Sequence, residues 1–152
     1  MSFAINLVVH LKISTIMNYK KALFATDLRW KSFSAADQAV HVAQCLGIED
    51  LTALYVIENR KFLSKVFYQE EEHLAYCKLS ELASFSHIRN YLIEEGDARK
   101  VVLEFINEHD IDLLFINAHC HSGFDRLGSV GYALVNQAPC PVWLLPYGKE
   151  GS

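Results

Sequence analysis

Short apolar runs alternate with amphipathic stretches along most of this chain, and this alternation most constrains its fold. The runs "KALFATD", "LTALYVIE", "IDLLFIN" and "CPVWLLP" are typical of buried strands, and "HIRNYLIEEG" predicts one more, third in chain order. Continuously apolar strands that alternate with helices indicate a mainly parallel sheet. The sequence therefore predicts an α/β domain with a five-stranded sheet and helices on both faces.

Four stretches between these runs have helical character. After the first run, apolar residues recur at spacings of three and four until Gly47. Residues 60–85 contain no proline or glycine and predict one long helix or two short ones. Pro139 ends the last predicted helix. The expected N-caps are, in chain order, Ser32 or Ser34, Asp97 and Ser129.

Length and charge limit the class of protein. A chain of 152 residues is typical of one domain and can bury a core without disulfide or metal support. The formal net charge is −4, and no segment concentrates lysine and arginine. A nucleic-acid partner is therefore not expected.

The four cysteines are widely spaced. Cys45, Cys77, Cys120 and Cys140 form no C-x-x-C pair, which argues against a disulfide framework or a zinc ribbon. We interpret them as reduced thiols and expect a cytoplasmic protein.

The N-terminal stretch "MSFAINLVVHLKISTI" is apolar but is interrupted by His10 and Lys12. It is too short to span a membrane, and it lacks the basic region and cleavage site of a signal peptide. Met17 resembles a natural start. We therefore expect residues 1–16 to be an N-terminal extension and residues 17–152 to form the domain, without a membrane partner.

Two loops are candidates for a ligand site because each follows a predicted strand. One begins at Thr26 and Asp27, and the other is "NAHCHSGFDRLGSVG", which begins at Asn117. In open α/β sheets, ligands bind outside the carboxyl ends of strands, where the strand order reverses.

Four segments resemble the universal stress protein family. They are "YKKALFATDLRWKSFSAADQAVHVAQ", "LTALYVIE", "GDARKVVLEFINEHDIDLLFINAH" and "LGSVGYALVNQAPCPVWLLP", which together span residues 19–147. The resemblance implies a doubly wound sheet of strand order 3-2-1-4-5 and a homodimer. Members commonly pair through the last strand, which here contains Pro141, Val142, Trp143, Leu144 and Leu145.

The resemblance also implies where a nucleotide would bind. ATP-binding members carry a G-x-x-G, nine-residue, G-[ST] loop, an aspartate near the ribose and a residue near the adenine. Here Asn117 and Cys120 replace the two leading glycines, and the spacer "HSGFDRL" has seven residues. The cofactor-binding candidates are Asp27, Val56, Asn117, His119, Gly128 and Ser129.

Whether the altered loop from Asn117 to Ser129 can still bind ATP distinguishes two possible functions. Asparagine tolerates left-handed φ, so Asn117 could partly substitute for glycine, but Cys120 in that geometry would cost about 1–2 kcal/mol and occupy phosphate space. We therefore expect a non-enzymatic stress-response homodimer that acts through contacts with another protein and holds no cofactor. The alternative is an ATP-binding member with a remodelled pocket and slow hydrolysis.

A metal site and a catalytic site have weaker support. On an extended backbone, His119 and His121 share a face and Cys120 points away, and no standard ligand spacing supplies a third residue. A His/Cys metal-binding module is the third hypothesis, and we assign no metal ligand. The sequence has no Walker A loop, G-x-G-x-x-G or G-x-S-x-G motif, so we assign no catalytic residue.

Overall fold

A computed structural model describes residues 19–28, 32–58, 65–117 and 128–145, with the backbone alone for residues 65–67. The predicted extension, residues 1–16, lies outside these ranges. The strands are β1 (Lys21–Ala25), β2 (Asp50–Ile57), β3 (Asn90–Glu95), β4 (Leu113–Asn117) and β5 (Val142–Leu145). The helices are α1 (Ser32–Cys45), α2 (Lys65–Ser86), α3 (Ala98–Glu108) and α4 (Ser129–Gln137).

The strands form one sheet of order β3-β2-β1-β4-β5, and every pairing is parallel. The predicted class and the strand order implied by the family resemblance are confirmed. At the centre, Leu23 of β1 lies opposite Thr52 of β2 and Leu114 of β4. The chain runs from β1 to one side through β2 and β3, then crosses to the other side at β4. The gap between β1 and β4 is therefore the switch point of the sheet.

Alternating side chains of the buried strands divide the core between the two faces of the sheet. Phe24 packs with residues of α1 and α2 on one face. Its neighbour Leu23 packs with residues of α3 and α4 on the other face. The fold is thus three layers, and α3 and α4 share one face at the switch point.

The observed ends of the helices can be compared with the predicted capping residues. Gly47 follows α1 with a φ of 73°, and the Asp97 carboxylate accepts a hydrogen bond from the Lys100 backbone N–H at 3.2 Å, as expected. The prediction that Ser129 is an N-cap is wrong. Gly128 takes that position with an extended backbone (φ −66°, ψ 172°), and Ser129 is the first helical residue.

Strand boundaries differ from the predicted ones by at most three residues. The third strand begins at Asn90 rather than at His87, because His87 takes a left-handed φ of 60° after α2. No helix within the described ranges is long and apolar enough to cross a membrane.

Candidate functional site

A cavity of about 380 Å³ opens at the carboxyl ends of β1, β2 and β4. This volume lies at the lower end of the range for small-molecule pockets, roughly 300–1,000 Å³. Apolar side chains from the α3 and α4 face line its inner wall, and polar groups lie at both ends. We call it the cleft, and its lining residues that matter below are Asp27, Val56, Glu58, Glu71, Asn117, Gly128 and Ser129.

A hydrogen-bonded chain of three polar side chains joins β1, α1 and β4 beside the cleft. The Ser32 hydroxyl donates to Asp27 Oδ1 at 2.9 Å, and Asn117 Nδ2 donates to Ser32 Oγ at 3.4 Å. Ser32 is fully buried, so it holds the Asp27 carboxylate in one orientation without contact with solvent. The first site residue is therefore positioned by the first residue of α1.

Asn117, which replaces the first glycine of the family's phosphate loop, has an unstrained backbone. It is an extended residue of β4 and is not among the described residues with positive φ, so the idea that it replaces glycine through left-handed geometry is not supported. Its side chain is only 7% exposed. Asn117 Oδ1 is buried and has no hydrogen-bond partner among the described residues. A buried amide oxygen without a partner among the described residues is uncommon.

Two helices begin near the cleft and differ in their caps. The Asp97 carboxylate caps α3, whereas Gly128 makes no side-chain cap hydrogen bond to α4. The first N–H groups of a helix have no partner inside the helix, and the helix dipole adds partial positive charge there. The N-terminus of α4 is consequently the end of the cleft suited to an anion.

The opposite end of the cleft is acidic. Val56 of β2 contributes an apolar wall, Glu58 follows the strand, and Glu71 approaches from α2. Tyr68, one turn before Glu71, donates a hydrogen bond to Glu95 Oε2 at 2.8 Å. Burial, followed by this bond to Glu95, raises the pKa of Tyr68 to about 12. The bond attaches the beginning of α2 to the end of β3.

The charge of the described lining is wholly negative. Asp27, Glu58 and Glu71 are its charged residues, and none of the described residues that line the cleft is lysine, arginine or histidine. Among the described lining residues, a polyphosphate would meet the carboxylates of Asp27, Glu58 and Glu71, and the N-terminus of α4 would be its favourable contact there.

Five of the six predicted cofactor-binding residues line this one cleft: Asp27, Val56, Asn117, Gly128 and Ser129. The sixth, His119, lies outside the described residues, as do Cys120 and His121. Sequence reasoning missed Glu71, since the long helical stretch that carries it has no motif. It considered Ser32 only as a cap.

The described residues contain no group of three or more His, Cys, Asp and Glu side chains that could hold a metal ion. Two cysteines each lie near a histidine one turn earlier on the same helix. The Sγ–Nε2 distance is 3.9 Å for Cys45 and His41 and 3.8 Å for Cys77 and His73. Each pair supplies two ligands, and zinc sites in proteins need three or four.

Fold and cleft together define an open, doubly wound α/β domain with a cavity at its switch point. A family model described as the universal stress protein family matches residues 18–146. Universal stress protein A homolog 1 of Coxiella burnetii is 30% identical over 142 residues, covering 83% of this chain and 95% of the relative. The chain belongs to the universal stress protein family.

Solved structures of the family share the fold. A universal stress protein in complex with cAMP is 18% identical, covers 84% of this chain and 97% of its own, and superposes with a TM-score of 0.65. The universal stress protein of Archaeoglobus fulgidus in complex with dAMP is 15% identical, covers 85% and 99%, and has a TM-score of 0.60. At these identities the likeness establishes the fold alone.

Proposed function

We propose that this protein is a nucleotide-binding universal stress protein that holds an adenine mononucleotide in the cleft. The observation that carries the proposal is the meeting of Asp27, Asn117 and Ser129, from three separate segments, around one cavity at the switch point. The ribose lies beside Asp27, and the base lies beside Val56. The complexes of related proteins with cAMP and dAMP support this class of ligand.

A monophosphate fits the charge of the cleft better than a triphosphate. One phosphate can accept hydrogen bonds from backbone N–H groups at the N-terminus of α4, where the N-cap residue Gly128 makes no side-chain hydrogen bond. Further phosphates would extend toward the Asp27 carboxylate, and none of the described residues that line the cleft is a cation that could balance them. We therefore place AMP ahead of ATP, and we assign no catalytic step.

The experiment removes one backbone N–H from the phosphate end. Proline is tolerated at the first helical position, and the extended Gly128 is compatible with a following proline. In Ser129→Pro the N–H is lost and the helix remains. Ser129→Ala is the matched control, because it removes only the hydroxyl.

Calorimetry with AMP and adenosine measures the effect. A hydrogen bond to a charged group contributes roughly 1.5–3 kcal/mol, so Ser129→Pro should weaken AMP binding about tenfold or more relative to Ser129→Ala. Adenosine affinity should be the same in both variants. Absence of AMP binding to the native protein refutes the proposal, and equal AMP affinity in both variants refutes the assigned phosphate end.

A second candidate function is a nucleotide-free homodimer that acts through protein contacts. The observation that favours it is β5, an edge strand that exposes Trp143 and Leu144 by 43% and 40%. An edge strand with exposed apolar side chains is a template for pairing with another chain. Tyr132 and Val135 of α4 are also exposed.

Sedimentation of charged variants tests the dimer. Leu144→Asp should shift a dimer toward monomer. Leu92→Asp is the matched control, because Leu92 is similarly exposed on β3, the opposite edge strand. A dimer that survives Leu144→Asp, or that Leu92→Asp dissociates equally, excludes β5 as the interface.

A further inference from the structure

We infer that Glu71 selects the base of the bound nucleotide by accepting a hydrogen bond from an exocyclic amino group. This inference rests on the proposed function and goes beyond it, since it names the residue that distinguishes one purine from another. The cleft has an open helix N-terminus at one end and carboxylates at the other. A nucleotide is therefore oriented with its phosphate at α4 and its base at Glu58 and Glu71.

Glu71 is better placed for recognition than Glu58. Glu58 is exposed, whereas Glu71 is partly buried at the cleft wall. Residues three apart lie on the same side of a helix. The Tyr68 hydrogen bond to Glu95 thus holds the backbone turn that carries Glu71 beside the cleft.

The Glu71 carboxylate is available for a ligand. No ion pair or hydrogen bond of Glu71 is found within the described part of the chain. Because an ionised carboxylate accepts hydrogen bonds and donates none, it favours a base edge that carries N–H donors. Adenine presents its 6-amino group, whereas hypoxanthine has a carbonyl oxygen at the same position and purine has only hydrogen.

A second polar residue of the cleft comes from another element of the fold. Asn117, on a different wall, is buried with its Oδ1 atom lacking a partner among the described residues. Buried acceptors of this kind are uncommon. Because the Asn117 Oδ1 atom has almost no accessible surface, we assign it no bond to the nucleotide, and base selection rests on Glu71.

The test compares three ligands with three forms of the full chain. The ligands are AMP, purine riboside 5′-monophosphate and IMP, and the forms are the native protein, Glu71→Gln and Glu72→Gln. Glu72 is the matched control, because it is the exposed neighbour of Glu71 and does not line the cleft. Calorimetry at one ionic strength gives each affinity, and thermal unfolding verifies that the variants fold alike.

The native protein and Glu72→Gln should bind AMP about tenfold more tightly than the purine analogue, the size expected for one charge-assisted hydrogen bond. In Glu71→Gln the AMP preference should shrink, and IMP should gain relative to AMP because a glutamine amide donates to a carbonyl oxygen. A merely structural glutamate would change all three affinities together.

The outcomes separate this inference from the proposed function. If AMP and the purine analogue bind the native protein equally, nucleotide binding stands and selection by Glu71 is overturned. An equal rise of all three affinities in Glu71→Gln also overturns it, since Glu71 would then only repel anions. If none of the three ligands binds the native protein, the proposed function fails, and this inference fails with it.

Discussion

The hydrogen-bonded chain at the start of α1 predicts that Ser32→Ala is far more destabilising than most serine substitutions. Ser32 is fully buried, and its hydroxyl is 2.9 Å from the carboxylate oxygen of Asp27. A hydrogen bond to a charged group contributes roughly 1.5–3 kcal/mol, and the longer bond from Asn117 adds little. We therefore expect Ser32→Ala to lower the free energy of unfolding by about 2 kcal/mol. For a domain of this size, the melting temperature should fall by about 4–8 °C.

Urea denaturation followed by tryptophan fluorescence measures this loss. The midpoint should fall while the m-value is unchanged, because the substitution alters the stability of the fold and not its compactness. Ser34→Ala is the matched control on the same helix. Ser34 is exposed and only accepts a 3.5 Å hydrogen bond from Gln38, so its loss should change stability by less than about 0.5 kcal/mol.

A double-mutant cycle assigns the effect to the Asp27 bond. In an Asp27→Ala background, Ser32→Ala should cost clearly less than in the native protein, because the partner of the hydroxyl is already absent. Equal costs in the two backgrounds would refute the reasoning, as would a Ser32→Ala variant as stable as Ser34→Ala.

Three further predictions concern the core residue Leu114, the helix cap Asp97 and the phenol of Tyr68. Leu114→Ala should lower the unfolding free energy by about 3 kcal/mol in urea, because Leu114 is fully buried on β4; a loss below about 1 kcal/mol would contradict this. The hydrogen bond from the Lys100 backbone N–H holds the pKa of Asp97 below its ordinary 3.8. The Asp97 carboxylate therefore stabilises the fold fully above pH 3.8, and this stabilisation is lost as the pH falls through the lower pKa of the folded state. The stability advantage over Asp97→Asn should therefore shrink in acid, and a constant advantage down to about pH 2 would exclude the charge effect. For Tyr68, whose pKa rises from 10.0 to about 12, the stabilisation is complete below pH 10.0 and lost as pH rises through about 12. Ultraviolet titration of Tyr68→Phe should lack the tyrosinate step near pH 12 of the native protein, and an unchanged titration curve would refute the assignment.

The cleft contains residues that the sequence singled out and one residue that it did not. Asp27, Val56, Asn117, Gly128 and Ser129 were predicted from the family resemblance, and they line one cavity. Glu71 was not predicted, because a glutamate in a long charged helix has no local feature that distinguishes it from its neighbours. The N-cap of α4 was predicted one residue late. A serine favours that position chemically, but the extended backbone at Gly128 determined where the helix begins.

Sequence alone determined the elements of this protein: which runs form strands, where helices lie between them, and that Asp97 caps α3. These features depend on side-chain period and on contacts within a few residues, which a sequence displays directly. Only the tertiary structure decided that Ser32 bonds both to Asp27 and to Asn117, which lies 85 positions after Ser32, and that Glu71 approaches the same cleft. Such contacts arise because a parallel sheet gathers the carboxyl ends of distant strands at one edge, and helix packing then sets which side chains meet there.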